Sequence, residues 1–489
     1  MAHVPPSFQP PGPIIFGTDG WRGIIAEDFT FERLYRAACA AARVLKEVYG
    51  ESTGSNTVII GYDRRFLSEE FAHTTATAAR AVGLDVLMSE SYAPTPAFSL
   101  AAKDRNALGA LVITASHNPG TYSGLKIKGA FGGSVPPEVT QKVEALLAEG
   151  YLPQASTETA APAVGFETFE PWAPYCEALG KKVDLGAIQA AVNGGQLQIF
   201  ADVMYGAAAT GLERILGVPV TELHGDRDPL FGGGAPEPLP RNLAVVMDRI
   251  QHRDNPSLAV GFVFDGDADR IAAIDETGEF CSSQVLIPIL IEHLAVRRGL
   301  TGEVIKTVSG SDLMPKVAEL FGLSVYETAV GYKYIADRML TTPVLIGGEE
   351  SGGIGYGSHI PERDGLLAAL YVLEAIVQSG QGLAQLYRSL QERTNFVAAY
   401  DRIDLPLASL AVRDRVLEAL QHNRPSEIAG QAVLDCITID GYKFRLADQR
   451  WLMVRFSGTE PLLRLYCEAA TLEQVNETLA WARDWAGQF

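Results

Sequence analysis

The sequence predicts an α/β protein with three similar mixed α/β domains followed by a smaller α+β domain. Three observations lead there. At 489 residues the chain is too long for one core and suggests about three or four domains. Short apolar runs alternate with amphipathic stretches over most of its length, the pattern of wound α/β layers. From about residue 396 the texture changes to closely spaced strands with few intervening helices.

The first domain is expected over 1–163. Residues 14–16 form a strand that enters the Gly-rich turn Gly17-Thr18-Asp19-Gly20-Trp21-Arg22-Gly23. A helix over 31–49, a strand over 58–63, a helix over 71–82 and a strand over 84–88 follow. The buried run 108–113 is short, apolar and β-branched at its end, and a helix covers 137–147. The Pro-, Ser-, Thr- and Ala-rich stretch 151–165 reads as a linker. The second domain, 164–278, has helices over 171–179 and 206–216, with strands over 197–201 and 258–264. In the third, 279–396, helices over 284–298, 313–321 and 366–378 alternate with strands over 303–308 and 344–346. Three blocks of similar size suggest a distant internal repeat. The fourth, 397–489, combines helices over 410–422 and 472–489 with strands near 436–439, 442–446, 451–456 and 462–468.

Composition narrows the function classes. Lys plus Arg is 40 against 59 Asp plus Glu, a formal charge of −19, and no basic block of five residues occurs. A nucleic-acid or anionic-membrane surface is therefore not expected. An anionic small substrate remains open, because a local Arg/Lys cluster dominates its own cleft within a Debye length of roughly 8 Å. Cys39, Cys176, Cys281, Cys436 and Cys467 are scattered and form no C-x-x-C pair, so the simplest expectation is cytosolic thiols. The N-terminus lacks the basic and apolar regions of a signal peptide, and the run 366–377 is too short to span a bilayer. The protein is expected to be cytoplasmic.

Four stretches carry candidate chemistry. Thr114-Ala115-Ser116-His117-Asn118-Pro119-Gly120 ends the 108–113 strand, placing a hydroxyl where open α/β sheets bind ligands. Ser116 beside His117 reads as a nucleophile or phosphate carrier, with Lys126 and Lys128 downstream; a loop serine satisfying its own backbone is the alternative. Asp265-Gly266-Asp267-Ala268-Asp269-Arg270 brings three carboxylates together at alternating positions. Such like charges repel unless a hard divalent cation sits among them, and oxygen-only ligation favours Mg²⁺, Mn²⁺ or Ca²⁺ over zinc. An EF-hand is rejected, since Arg270 stands where that loop requires Gly and the preceding run is strand-like.

The third stretch, Gly347-Gly348-Glu349-Glu350-Ser351-Gly352-Gly353, suits recognition of sugar hydroxyls by close backbone approach and paired acceptors, although a Gly-rich β-turn looks similar. The fourth, Arg455-Phe456-Ser457-Gly458-Thr459-Glu460-Pro461 with Arg464 beyond, offers backbone N–H groups, hydroxyls and guanidinium groups for a phosphate without a Walker pattern.

Together and in this order, from Gly17-Thr18-Asp19-Gly20-Trp21-Arg22 to Arg455–Pro461, these stretches resemble the α-D-phosphohexomutase superfamily, the phosphoglucomutase and phosphomannomutase enzymes. The resemblance spans nearly the whole chain and implies four domains around a central cleft. It implies that Ser116 is phosphorylated in the resting enzyme and that Asp265, Asp267 and Asp269, with the Ser116 phosphate, hold one Mg²⁺. Lys126, in a segment where Ser123 replaces the family's Asn, is the first candidate for general acid/base, and His117 the second. Arg22 and Arg270 would stabilise the transferring phosphoryl group. Thr18 and Lys333 would contact substrate, Glu349 and Ser351 would read sugar hydroxyls, and Arg455, Ser457, Gly458, Thr459 and Arg464 would grip the non-reacting phosphate.

The activity implied is interconversion of hexose 1-phosphate and hexose 6-phosphate through a hexose 1,6-bisphosphate, which also serves as activator. Glu350 resembles glucose-preferring members, and Gly353 stands where dual-specificity members more often carry His, so glucose is favoured. A bisphosphate synthase on the same site and a non-catalytic phosphosugar-binding regulator are the alternatives. The expected partners are a small phosphosugar and, at most, copies of the same chain in a monomer or small homo-oligomer.

Overall fold

The computed structural model describes residues 12–17, 19–153, 166–255, 257–456 and 461–489. The chain forms two compact units, Met1–Phe280 with Ile354–Gln378, and Cys281–Gly353 with Ser379–Phe489.

The first unit holds two sheets. One has the strand order Trp21–Ile24, Tyr122–Gly129, Gly109–Ile113, Thr57–Tyr62, Asp85–Ser89, Glu167–Phe169. Thr57–Tyr62 runs parallel to both Asp85–Ser89 and Gly109–Ile113, while Tyr122–Gly129 is antiparallel to Gly109–Ile113. Helices Phe31–Thr53 and Ser68–Ala81 bury Ala-rich faces against it. Thr30 caps the first by accepting from the Arg33 N–H, and Gly54 ends it at φ 62. The second sheet runs Phe280–Cys281, Ile271–Ile274, Leu258–Phe264, Leu197–Asp202, Thr221–Leu223. Its central strand, Leu258–Phe264, is apolar on both faces, as a covered parallel strand requires.

The helix expected over 206–216 is shorter, Gly211–Leu216. Met204, Tyr205 and Thr210 adopt positive φ, and the Ala207 N–H donates to the Gly266 carbonyl, so this segment is a turn packed on the metal loop. Unexpected elements include helices Thr95–Asp104 and Leu185–Asn193 and the strand Tyr122–Gly129.

In the second unit, parallel strands Val325–Thr328, Glu303–Thr307 and Val344–Gly348 lie side by side with helices Ser283–Glu292, Leu313–Leu320 and Tyr332–Thr341. The C-terminal sheet runs Ala399–Pro406, Leu462–Ala469, Trp451–Phe456, Tyr442–Leu446, Gln431–Ile437, Glu427–Ile428, all antiparallel. One face carries Leu452, Val454, Leu463 and Leu465 against helices Leu410–His422 and Leu472–Ala486; Trp451, Met453 and Tyr466, on the other, cluster with Val308. This is the α+β texture read from the sequence. Among the described residues no single helix is long and apolar enough to cross a membrane.

Candidate active site

In the first unit the chemistry-bearing side chains converge on one buried point. Gly109–Ile113 is buried throughout, and the chain leaves it through Thr114, whose Oγ1 accepts the Ser116 N–H at 3.0 Å. Two tight turns follow, Asn118 N–H to Ala115 carbonyl and Tyr122 N–H to Pro119 carbonyl, both 3.0 Å. Inside the first, Ser116 is held at φ 51, a left-handed conformation uncommon for a residue with a side chain. Its hydroxyl donates to Asp265 Oδ2 at 2.7 Å and lies 3.4 Å from His117 Nδ1.

The metal loop is the turn between antiparallel strands Leu258–Phe264 and Ile271–Ile274, where Phe264 pairs with Ile271. Ala268 at φ 58 and a bond from its N–H to the Asp265 carbonyl close the turn. Asp265, Asp267 and Asp269 each offer a carboxylate oxygen within 4.8 Å of the others, and all three residues are fully buried. Burial, then the charges of Asp269 and Asp267, push the Asp265 carboxyl up to about 8. Asp267 Oδ1 and Asp269 Oδ1 are buried with no hydrogen-bond partner among the described residues. Orphaned carboxylate oxygens on a dry, all-oxygen donor set fit a hard divalent cation.

The outer oxygens are committed elsewhere. Asp267 Oδ2 accepts from Thr95 Oγ1 at 2.5 Å and from Lys126 Nζ at 2.8 Å; Asp269 Oδ2 accepts from Lys126 at 2.8 Å and Arg363 at 2.6 Å. Against burial, which alone would raise it, Lys126 and the Thr95 hydroxyl hold Asp267 below the carboxylate range. Lys126 also bonds Asp19 Oδ2 at 2.7 Å, and Arg363 joins the same carboxylate. Burial would lower the Lys126 amine, yet Asp19, Asp267 and Asp269 outweigh it and raise it above the ordinary lysine range. His117 moves the other way: burial, then the charges of Arg270 and Arg22, hold its imidazole well below its ordinary value. Arg22 reaches Asn118 Oδ1 at 2.7 Å, and Arg270 Nε lies 3.9 Å from Asp269 Oδ1.

The first unit therefore brings Ser116, His117, Arg22, Lys126, Arg270 and the three aspartates together. The sequence reading missed Asp19, Thr95 and Arg363. Arg363 left one signal, a charged Glu362-Arg363-Asp364 run immediately before an apolar helix. Thr18 lies outside the described residues.

The second unit holds the remaining candidates, Lys333 and Ser351 partly exposed and Glu349 buried. Lys333 is partly exposed near the start of helix Tyr332–Thr341, its ammonium 5.0 Å from the Tyr334 ring centre. Gly331, at φ 136, precedes that helix and donates its N–H to Glu349 Oε1 at 2.9 Å. Glu349 follows strand Val344–Gly348 and opens a tight turn: its N–H donates to the Gly353 carbonyl and its carbonyl accepts from Gly352. Ser351 sits half-buried in that turn. Glu350 points elsewhere, accepting from Ser309 Oγ at 2.7 Å with Arg402 3.8 Å away. Arg455 and Arg464 face each other in register across neighbouring strands, and Arg455 Nε donates to Asp440 Oδ2 at 2.8 Å. Ser457, Gly458 and Thr459 lie outside the described residues.

Comparison with known proteins agrees along the chain. Residues 13–153, 173–278 and 282–394 match the phosphoglucomutase/phosphomannomutase alpha/beta/alpha domains I, II and III, and 407–483 match the C-terminal domain of the same family. A phosphoglucomutase/phosphomannomutase of Thermococcus kodakarensis is 29% identical, over 95% of this chain and 96% of its own. A phosphoglucosamine mutase of Desulforudis audaxviator is 30% identical, over 95% of each chain. A solved structure from Thermus thermophilus, provisionally designated a phosphomannomutase, superposes with a TM-score of 0.83 at 34% identity, over 98% of this chain and 100% of that one. A buried serine hydroxyl bonded to one carboxylate of a buried trio, on a chain that all four domain families cover, leads to one conclusion: this protein belongs to the phosphoglucomutase/phosphomannomutase family of the α-D-phosphohexomutase superfamily, and is an intramolecular phosphotransferase.

Proposed function

We propose that the protein interconverts the 1- and 6-phosphates of a hexose, with Ser116 as the phosphoryl carrier and hexose 1,6-bisphosphate as intermediate and activator. The observation that carries this reading is the 2.7 Å bond from Ser116 Oγ to Asp265 Oδ2, which sets the hydroxyl at the edge of the carboxylate trio. Asp265, Asp267 and Asp269 would hold one Mg²⁺, which when bound neutralises phosphoryl charge and orients its oxygens. Arg22 and Arg270 flank the Ser116 loop and supply further positive charge for the transferring group.

Proton traffic divides between two residues. The three carboxylates around Lys126 keep its amine protonated, which suits a charge stabiliser; donating that proton requires these ion pairs to loosen. The neutral imidazole of His117, 3.4 Å from Ser116 Oγ, suits a proton acceptor. In the second unit Lys333, Glu349, Ser351, Arg455 and Arg464, with the segment 457–459, are the residues for the sugar hydroxyls and the non-reacting phosphate.

Glucose phosphates are the favoured substrates. The rival reading is a hexosamine phosphate, supported by relatives named phosphoglucosamine mutase and by Glu350 being turned toward Ser309 and Arg402. Comparing kcat/KM on the 1-phosphates of glucose, mannose and glucosamine separates these. Glucose should lead by about ten- to hundredfold, the span one buried polar contact supplies; a lead for glucosamine or equal values would overturn the preference. Following the bisphosphate in the same reactions tests the synthase alternative, which predicts its accumulation beyond the enzyme concentration when another phosphoryl donor is present.

A further inference from the structure

Arg65 follows strand Thr57–Tyr62 in the turn Asp63-Arg64-Arg65 and is completely buried. Its Nε donates to Asp63 Oδ2 at 3.1 Å. One terminal nitrogen donates to the carbonyls of Ser116 at 2.5 Å and Asn118 at 2.7 Å, the other to those of Pro119 at 2.9 Å and Tyr122 at 3.1 Å. A guanidinium has five N–H donors, and these five bonds occupy them all. Asp63 is itself fixed, its Oδ1 accepting the Arg65 N–H at 3.0 Å and the Ser68 hydroxyl at 2.7 Å. Phe231 lies against the guanidinium, 4.7 Å from ring centre to Cζ. Gly266 of the metal loop packs on the same Ser116 carbonyl: a Cβ there would stand 2.4 Å from that oxygen and 3.3 Å from an Arg65 nitrogen.

We propose that Arg65 is the positioning residue for phosphoryl transfer, converting the Ser116 loop from a pliable turn into a fixed mount that aims Oγ at the carboxylate trio. The inference rests on Ser116 being the phosphoryl carrier. A serine at φ 51 returns to the favoured region unless its neighbours over-determine it. Here four carbonyls between Ser116 and Tyr122 are drawn to one buried cation, and the rotation of Ser116 that would relax it swings its carbonyl off Arg65 and its hydroxyl off Asp265. Lysine cannot replace this clamp, because three donors on a flexible stem cannot meet four carbonyls and a carboxylate in one plane. Arg65 touches no reacting atom; it acts through Ser116.

The experiment compares Arg65→Lys with the parent in steady-state turnover and in the rate at which glucose 1,6-bisphosphate phosphorylates the protein, followed by intact mass and peptide mapping. Arg64→Ala is the control, since Arg64 donates to the Gly225 carbonyl at 2.9 Å and not to the Ser116 loop. Arg65→Lys should lose about a hundredfold in both kcat and phosphorylation rate, the size of effect expected of a misplaced reacting group, with KM within about threefold of the parent. Guanidinium added to Arg65→Ala should restore part of the loss, and Arg64→Ala should stay within about twofold. Phosphorylation of Arg65→Lys at the parental rate, or a loss confined to KM, would overturn the proposal. Should neither Arg65 variant fold, Phe231→Leu decides: slower phosphorylation at unchanged KM supports the clamp, and an unchanged rate refutes it. A parent that takes no phosphate on Ser116 instead refutes the carrier assignment, so the two failures are distinguishable.

Discussion

The two units use buried charge for different ends. In the first, Asp265, Asp267, Asp269, Lys126 and Ser116 are all essentially inaccessible, and two aspartate oxygens have no hydrogen-bond partner among the described residues. In the second, the buried ionic cluster alternates lysines with carboxylates, although Glu468 Oε2 has no hydrogen-bond partner among the described residues. Lys306 bonds Asp312 and Glu327, each at 2.9 Å, and Lys443 adds a 3.2 Å bond to Asp312 while lying 4.1 Å over the Trp451 ring. Glu468 Oε1 accepts from the Asp312 N–H and from Trp451 Nε1. That cluster joins the parallel sheet to the C-terminal sheet, whereas the recognition candidates of the same unit, Lys333 and Ser351, are partly exposed. The lesson is that three carboxylates gathered on one point mark chemistry, whereas lysines and carboxylates interleaved between two sheets mark architecture.

The sharpest way to break the comparison is Ser116→Ala. It should cost on the order of 10⁴- to 10⁶-fold in mutase turnover, the scale of removing a nucleophile, and leave the thermal midpoint nearly unmoved. Turnover near the parental value would strip the first unit of its catalytic role. Glu349→Gln probes the candidate sugar-reading turn. It should raise KM about tenfold while kcat changes little, because a hydroxyl-reading contact is made in ground and transition states alike; a kcat collapse at constant KM would move Glu349 into the chemistry.

The smallest effect on turnover is expected of Lys443→Met in the interleaved cluster, where the change is read in stability instead. Burial, then the charge of Lys306, lowers the Lys443 amine to about 8 from the ordinary 10.5. Below pH 8 both folded and unfolded chains carry the proton. Between pH 8 and 10.5 only the unfolded chain does, so folding stability rises with pH through that window, by on the order of 3 kcal/mol. Denaturant midpoints of the parent should climb across this range relative to Lys443→Met. Parallel curves would show that Lys443 titrates no differently when folded.

How much was legible follows from where each partner sits in the chain. The carboxylate trio lies within one turn, so spacing alone exposed it, and Ser116 stood at the end of an unmistakable buried strand. Asp19 and Arg363 meet across 344 residues, a distance that no local pattern records. The strand Tyr122–Gly129 was overlooked because Lys126 and Lys128 share one of its faces, which in sequence reads as a solvated side. That face is in fact buried among carboxylates, Lys128 reaching Glu362 at 2.5 Å. Helix Tyr332–Thr341 was hidden by a polar sequence with only Tyr332, Ile335 and Ala336 buried. The segment 206–210 was read as part of a helix, although backbone packing against Gly266 demands a turn.

The hairpin that carries the aspartate trio also limits how the gene can vary. One codon inserted between those for Asp265 and Asp269 would rotate at least one carboxylate out of reach, while the register of Phe264 with Ile271 keeps the flanking strands from sliding to compensate. Length changes in this part of the chain should therefore be confined to the outer bend at Asp275–Glu279, where backbone loops back over a single acidic side chain.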